Sequence, residues 1–155
     1  MKKLTHGLLT EKEKRQICDW HYAGDYGIYD LPSYEEMKDR SMGFLNPERE
    51  RNFRGFWEGD SLVGYVNMRE EEKEVFIGIG VAPDLCGQGY GGEILKEAFG
   101  FAGKRYPGKP LYLLVRSWNK RAIRCYEKAG FVIAGDTLEK ETPAGGGSFY
   151  RMIRT

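Results

Sequence analysis

Two clusters of residues in this chain have the types and the spacing that chemistry needs. The first is Val81-Ala82-Pro83-Asp84-Leu85-Cys86-Gly87-Gln88-Gly89-Tyr90-Gly91-Gly92, set between an apolar strand-like run and a helical pattern. The start of a helix leaves backbone N–H groups unpaired, and the helix dipole favours negative charge there. Glycine lets such a backbone approach phosphate oxygens with no Cβ in the way. Gly87, Gln88, Gly89, Tyr90, Gly91 and Gly92 are therefore candidates to hold a pyrophosphate on main-chain amides. The second cluster is Asn119-Lys120-Arg121-Ala122-Ile123-Arg124-Cys125-Tyr126-Glu127-Lys128-Ala129-Gly130-Phe131, after the next apolar run. Tyr126 presents a hydroxyl from a helix, and a placed hydroxyl can give a hydrogen bond or a proton to a leaving group. Ala122 and Tyr126 are four apart and share a helical face.

The glycine loop has rival readings. Gly87-x-Gly89-x-x-Gly92 matches the dinucleotide fingerprint letter for letter. That fingerprint wants an acid about 20 residues on, at the end of the next strand. Here that strand ends Leu114-Val115-Arg116, and Tyr106 to Trp118 contains no acid. Two helices and three strands also precede this strand-loop-helix unit, where a dinucleotide fold would lead with it. A Walker loop is excluded because no Gly-Lys-Ser/Thr follows. A tight strand-to-helix turn with no ligand is the plain alternative. Cys86 reads as an inert thiol, since no His lies near it in sequence to make a thiolate.

Taken together, the two clusters resemble the acyl-CoA-binding core of the GNAT superfamily of N-acetyltransferases. Residues 50–155 carry the resemblance; the first 45 match only in pattern. The superfamily's first signature is Gln/Arg-x-x-Gly-x-Gly/Ala after a strand ending Val-x-Pro. Val81, Pro83, Gly89 and Gly91 match it, and Cys86 takes the Gln/Arg position, which implies weakened contacts rather than lost binding. The second signature, Asn-x-x-Ala-x-x-x-Tyr-x-x-x-Gly-Phe, is met at Asn119, Ala122, Tyr126, Gly130 and Phe131. The resemblance implies an α/β fold with a single mixed, mostly antiparallel sheet and helices on both faces, forming one domain over residues 1–155. It implies acetyl-CoA as co-substrate, no metal, and acetyl transfer to a primary amine by direct attack. Tyr126 would be the acid to the leaving thiolate and Asn119 would contact the pantetheine arm. The backbone of Ile79 and Val81 would pair with that arm like an extra strand, and a backbone amide would polarise the acetyl carbonyl. A non-catalytic acyl-CoA sensor of the same fold is the rival reading from another class.

The general base stays open. In the branch that acetylates ribosomal-protein N-termini, a carboxylate stands five residues before the motif Asn; here that position is Leu114, which counts against that activity. Other members use a Glu on the strand before the loop, and Glu74 is the nearest counterpart, with a solvated turn residue as its plain reading. His21, Asp25 or a water chain would also serve. The acceptor is expected against the N-terminal region, where Trp20, Tyr22, Tyr26, Tyr29 and Tyr34 are interspersed with Asp19, Asp25 and Asp30. Aromatic walls with a few carboxylates suit a small cationic amine, so Trp20, Tyr26 and Tyr29 are the substrate candidates. A polyamine, an aminoglycoside-like amine, an amino acid or a peptide Lys would fit. The opposing reading is that these aromatics seal the edge of the core.

The elements that must position these groups are legible in the pattern. Lys3–Leu8 reads as a short strand. Thr10 caps a helix through Ile17 and Trp20, and Ser33 caps a second with Glu36 as its capping-box partner. Asn52–Trp57 and Leu62–Arg69 read as strands around a Glu58-Gly59-Asp60-Ser61 turn. In Glu74–Val81, Glu74, Phe76, Gly78 and Gly80 share a face, and two glycines there suggest room cleared for a ligand. A helix from Tyr90 to about Lys104, a buried strand Leu111–Val115, a helix Asn119–Ala129 closed by Gly130, and strands Phe131–Ala134 and Phe149–Ile153 complete the order β-α-α-β-β-β-α-β-α-β-β. Pro143 and Gly145-Gly146-Gly147 read as a loop.

The bulk numbers set limits. A chain of 155 residues with 41% hydrophobic and 30% charged residues suits one soluble domain. A formal charge of +1 gives no electrostatic case for nucleic acid or an anionic membrane. No apolar run approaches the roughly 18 residues of a membrane span, and the N-terminus lacks the apolar stretch of a signal peptide. Cys18, Cys86 and Cys125 fit neither CxxC nor a zinc spacing. They read as free thiols of a cytoplasmic protein. An edge strand such as the last could pair two chains into a homodimer, though nothing in the sequence demands it.

Overall fold

Caps and turns set the first elements of the computed structural model, which describes residues 2–155. After β1 (Thr5–Gly7), the Thr10 amide donates to the Glu13 carboxylate at 2.8 Å, closing a capping box at the start of α1 (Glu11–Cys18). Ser33 Oγ accepts from the Glu36 amide to open α2 (Tyr34–Asp39). Between these helices, Gly24–Tyr29 winds as a 3-10 segment where a loop was expected. β2 (Phe53–Glu58) and β3 (Ser61–Glu70) form the expected hairpin, turned at Gly59 with φ +60°. Then come β4 (Val75–Val81), α3 (Tyr90–Arg105), β5 (Leu111–Arg116), α4 (Lys120–Lys128), β6 (Val132–Ile133), β7 (Leu138–Thr142) and β8 (Gly145–Arg154). The strands run β1-β2-β3-β4-β5-β8-β6, with β7 on β8. β4 and β5 are parallel; β5, β6 and β7 each pair antiparallel with β8. The sheet is therefore mixed, as expected.

The order differs from expectation at one place. Leu138–Thr142 is a strand, and β8 begins at Gly145, so the glycine run is part of a ribbon and not a loop. β7 is exposed along almost its whole length and has one apolar residue. Without an alternating apolar face, its sequence carries no strand signal. Backbone pairing with β8 holds it.

The chain forms two compact units. The first comprises residues 1–67 and 79–94. Its core packs Leu9, Ile17, Cys18, Tyr34, Met37, Phe44, Phe53 and Leu62. Gly80 serves this packing: a Cβ there would lie 2.5 Å from Cε1 of Tyr65. The room expected for a ligand at Gly80 is thus filled by the Tyr65 ring, which sequence alone could not reveal because Tyr65 lies on another strand. The second unit comprises residues 68–78 and 95–155. Phe131, fully buried, packs between Phe99 at 5.8 Å and Tyr126 at 6.0 Å between ring centroids. Gly130 takes φ +98° after α4, and Arg154 Nε donates to the Ala129 carbonyl at 3.1 Å, closing that helix end.

Candidate active site

In the first unit, β4 ends at Val81 and the chain turns through a 3-10 segment, Pro83–Leu85, into the glycine loop. Gly87 and Gly89 have φ of +79° and +87°. L side chains rarely adopt such angles, so glycine is strongly favoured at both. Neither glycine, nor Gly92, has any atom within 4 Å of where a Cβ would stand. The loop therefore presents main chain to open space just as the 16-residue α3 begins. That arrangement fits a diphosphate. Gln88 turns its side-chain amide back to the Asp84 carbonyl at 2.8 Å, so the side chain is engaged within the loop itself. Cys86 Sγ lies 3.7 Å from the Ala82 carbonyl, turned toward the chain end of β4. Tyr90 anchors the helix start: its hydroxyl donates to Glu58 at 2.5 Å, and this bond with burial raises its pKa.

The same unit carries the aromatic segment. Tyr22 Oη donates to the Val81 carbonyl at 2.7 Å, so one lone pair of that carbonyl is already taken. The expectation that Val81 offers its backbone to a pantetheine arm must accommodate this bond. Asp30 fastens the segment by accepting from the Tyr22 amide at 2.8 Å and lying 3.0 Å from His21 Nδ1. Burial pushes the Asp30 carboxyl up, but the His21 and Tyr22 bonds outweigh it and hold the carboxyl below its ordinary value. Trp20 packs on the unit's core, 6.2 Å from the Tyr65 ring. Tyr29 is 37% exposed and Tyr26 half-buried. Of the three substrate candidates, Trp20 is mainly a packing residue and the two tyrosines remain on the surface.

In the second unit, Asn119 is buried and caps α4, its Oδ1 accepting from the Ala122 amide at 3.1 Å. Its side-chain oxygen therefore has a structural task beside the expected pantetheine contact. Tyr126 sits seven residues on, half-buried, with its ring edge on Phe131. Glu74 is clasped by Arg151, with Nη2 to Oε1 at 2.5 Å and Nη1 to Oε2 at 3.4 Å. Both oxygens of this carboxylate are engaged by Arg151, so an incoming amine would compete with the guanidinium for them. Sequence reasoning missed the Tyr22 and Glu58 braces. Each joins residues far apart in the chain, 59 and 32 positions, and no local spacing announces them.

Comparison with known proteins agrees with this geometry. The family model for the Acetyltransferase (GNAT) family matches residues 14–131. The chain belongs to the GNAT acetyltransferase family. It is an acetyl-CoA-dependent acyltransferase, and its reaction is acetyl transfer to an amine. A chimera of the spermidine N-acetyltransferase of Vibrio cholerae and hSSAT aligns with TM-score 0.77 at 22% identity, covering 99% of this chain and 95% of that one. The Vibrio cholerae spermidine N-acetyltransferase in complex with CoA and spermine gives 0.76 at 20% identity, covering 97% and 94%. A ribosomal-protein-alanine N-acetyltransferase from Escherichia coli gives 0.69 at 22% identity, covering 98% and 93%. No curated protein sequence matches the chain.

Proposed function

We propose that this protein acetylates a small primary amine by direct attack, with Tyr126 as the acid. Gly87 to Gly92 would hold the diphosphate of acetyl-CoA on main-chain amides, and Ile79 and Asn119 would contact its arm. Acetyl-CoA supplies the activated thioester when bound. Tyr126 then holds the proton that the departing sulfur needs, so its loss slows departure and leaves cofactor binding intact. The amine would meet the segment with Tyr26, Tyr29, Asp19 and Asp25, where rings and carboxylates suit a cation.

The observation that carries this reading is the open glycine loop at the start of α3, with both left-handed glycines in place. The test is calorimetric titration with acetyl-CoA, with NADH as control, followed by thiol release on addition of amines. Saturable binding of acetyl-CoA alone and amine-dependent thiol release support the proposal. Tyr126→Phe should lower kcat by about 10²-fold or more. Binding without turnover against a broad amine panel would make the chain a sensor. Binding of NADH instead would restore the dinucleotide reading.

A further inference from the structure

Arg116 ends β5, and its guanidinium is a buried charge with no carboxylate at ion-pair distance among the described residues. The residue is 5% exposed. Nη2 donates to Thr142 Oγ1 at 3.1 Å and Nη1 to the Gly146 carbonyl at 3.4 Å, and the group lies 4.7 Å from the Phe149 ring centroid. Among the described residues no carboxylate lies within 4.0 Å of it as an ion pair. A guanidinium has five N–H donors, and a buried cation is ordinarily matched by an anion.

The β7–β8 ribbon is shaped around this cation. Paired residues on a ladder share a face, and neighbours along a strand alternate. The pairs Leu138↔Phe149 and Lys140↔Gly147 therefore lie on the Arg116 face, with Thr142. Glu139 and Glu141 lie on the other. The glycines agree with this division. A Cβ on Gly147 would collide with Arg116 Nη1, whereas one on Gly146 would lie 2.7 Å from Glu141 Oε1. The ribbon face turned toward Arg116 thus carries Lys140 and no acid, and the other face carries Glu139 and Glu141. The position suits a substrate: the Arg116 carbonyl accepts from the Asn119 amide at 2.9 Å, directly before the helix that bears Tyr126.

We infer that Arg116, with Lys140 on the same ribbon face, receives the carboxylate of an acceptor that also carries the amine. The substrate class is then amino-acid-like, not a plain polyamine. This rests on the acetyl transfer proposed above. A guanidinium fork matches a planar carboxylate with two parallel bonds, which a lysine could not reproduce.

The test compares L-lysine with cadaverine, which is the same chain without the carboxylate. Wild-type kcat/KM should favour L-lysine by about 10- to 100-fold, the worth of a charge-assisted bond. Arg116→Gln should erase most of that ratio, and Lys140→Gln, an exposed change that spares the ribbon, should reduce it by a smaller factor. Equal or better use of cadaverine by the wild type would overturn the inference. So would an Arg116→Gln variant that slows both amines alike, since Arg116 would then only hold the ribbon. A raised KM for acetyl-CoA with the ratio unchanged would assign the anion to the cofactor and also overturn it. Calorimetry with Nε-acetyl-L-lysine against N-acetylcadaverine needs no turnover. It decides the point even if thiol release fails with every amine, the result that would instead refute the proposed reaction. Preferential binding of the carboxylated ligand, lost in Arg116→Gln, supports the inference; equal binding refutes it.

Discussion

Replacing Gly89 by Ala separates the glycine loop's role in folding from its role in binding. Gly89 has φ +87°, and nothing lies within 4 Å of its missing Cβ. The substitution therefore creates no clash and costs only the left-handed backbone, about 1–2 kcal/mol for an L residue. For a chain of this size each kcal/mol moves Tm by roughly 2–4 °C, so a fall of roughly 2–8 °C is expected. Gly100 lies in α3, exposed, also with nothing within 4 Å of its Cβ. Gly100→Ala should return about 1 kcal/mol, the helix-propensity difference. The double variant Gly89→Ala/Gly100→Ala should thus melt close to the wild type. If the loop holds the diphosphate, its acetyl-CoA affinity should still be weaker by roughly 10- to 100-fold, the value of one amide bond to a charged oxygen. Calorimetry and thermal melts on the four proteins give both numbers. A double variant that melts like the wild type and binds acetyl-CoA as tightly would refute the loop as the cofactor's anchor.

Three more outcomes follow from single contacts. Glu74→Gln should lower Tm by a few degrees through loss of the Arg151 ion pair, roughly 1 kcal/mol. It should leave the pH profile of kcat/KM in place; disappearance of its acid limb would make Glu74 the base after all. Phe131→Ala should cost about 3–5 kcal/mol in denaturant melts, because the ring is fully buried between Phe99 and Tyr126; a cost under 1 kcal/mol would contradict that packing. The stability that the Asp30 clamp contributes is present above the ordinary unfolded carboxylate value, about 3.9. Because the folded value is depressed, this stability is lost as pH falls below that value and through the folded one. Asp30→Asn should flatten this dependence, read by acid melts.

Several features follow from local rules and were legible in the chain. The Thr10 and Ser33 caps, the Gly59 turn, the Gly130 helix end and the glycine loop each depend on residues within about a turn of one another. A side chain or a left-handed φ decides them on the spot. The fixed offsets of Asn119, Ala122, Tyr126 and Phe131 mark the second motif in the same way. β7 was not legible, because a polar exposed strand has no alternation to read and exists only once β8 pairs with it.

What the tertiary structure alone decided is which of those groups are already engaged. Tyr22 takes the Val81 carbonyl across 59 residues, Arg151 takes Glu74 across 77, and Gly146 meets Arg116 across 30. Propensity and spacing act over a few residues, whereas the partner of a hydroxyl, carboxylate or guanidinium depends on which strands lie side by side. The sequence by itself therefore determined the groups on offer: a glycine loop with left-handed turns at a helix start and a tyrosine hydroxyl carried on a helix. The folded chain decided that Glu74 is a paired carboxylate, that Gly80 makes room for Tyr65, and that Arg116 is a buried cation with no ion pair among the described residues.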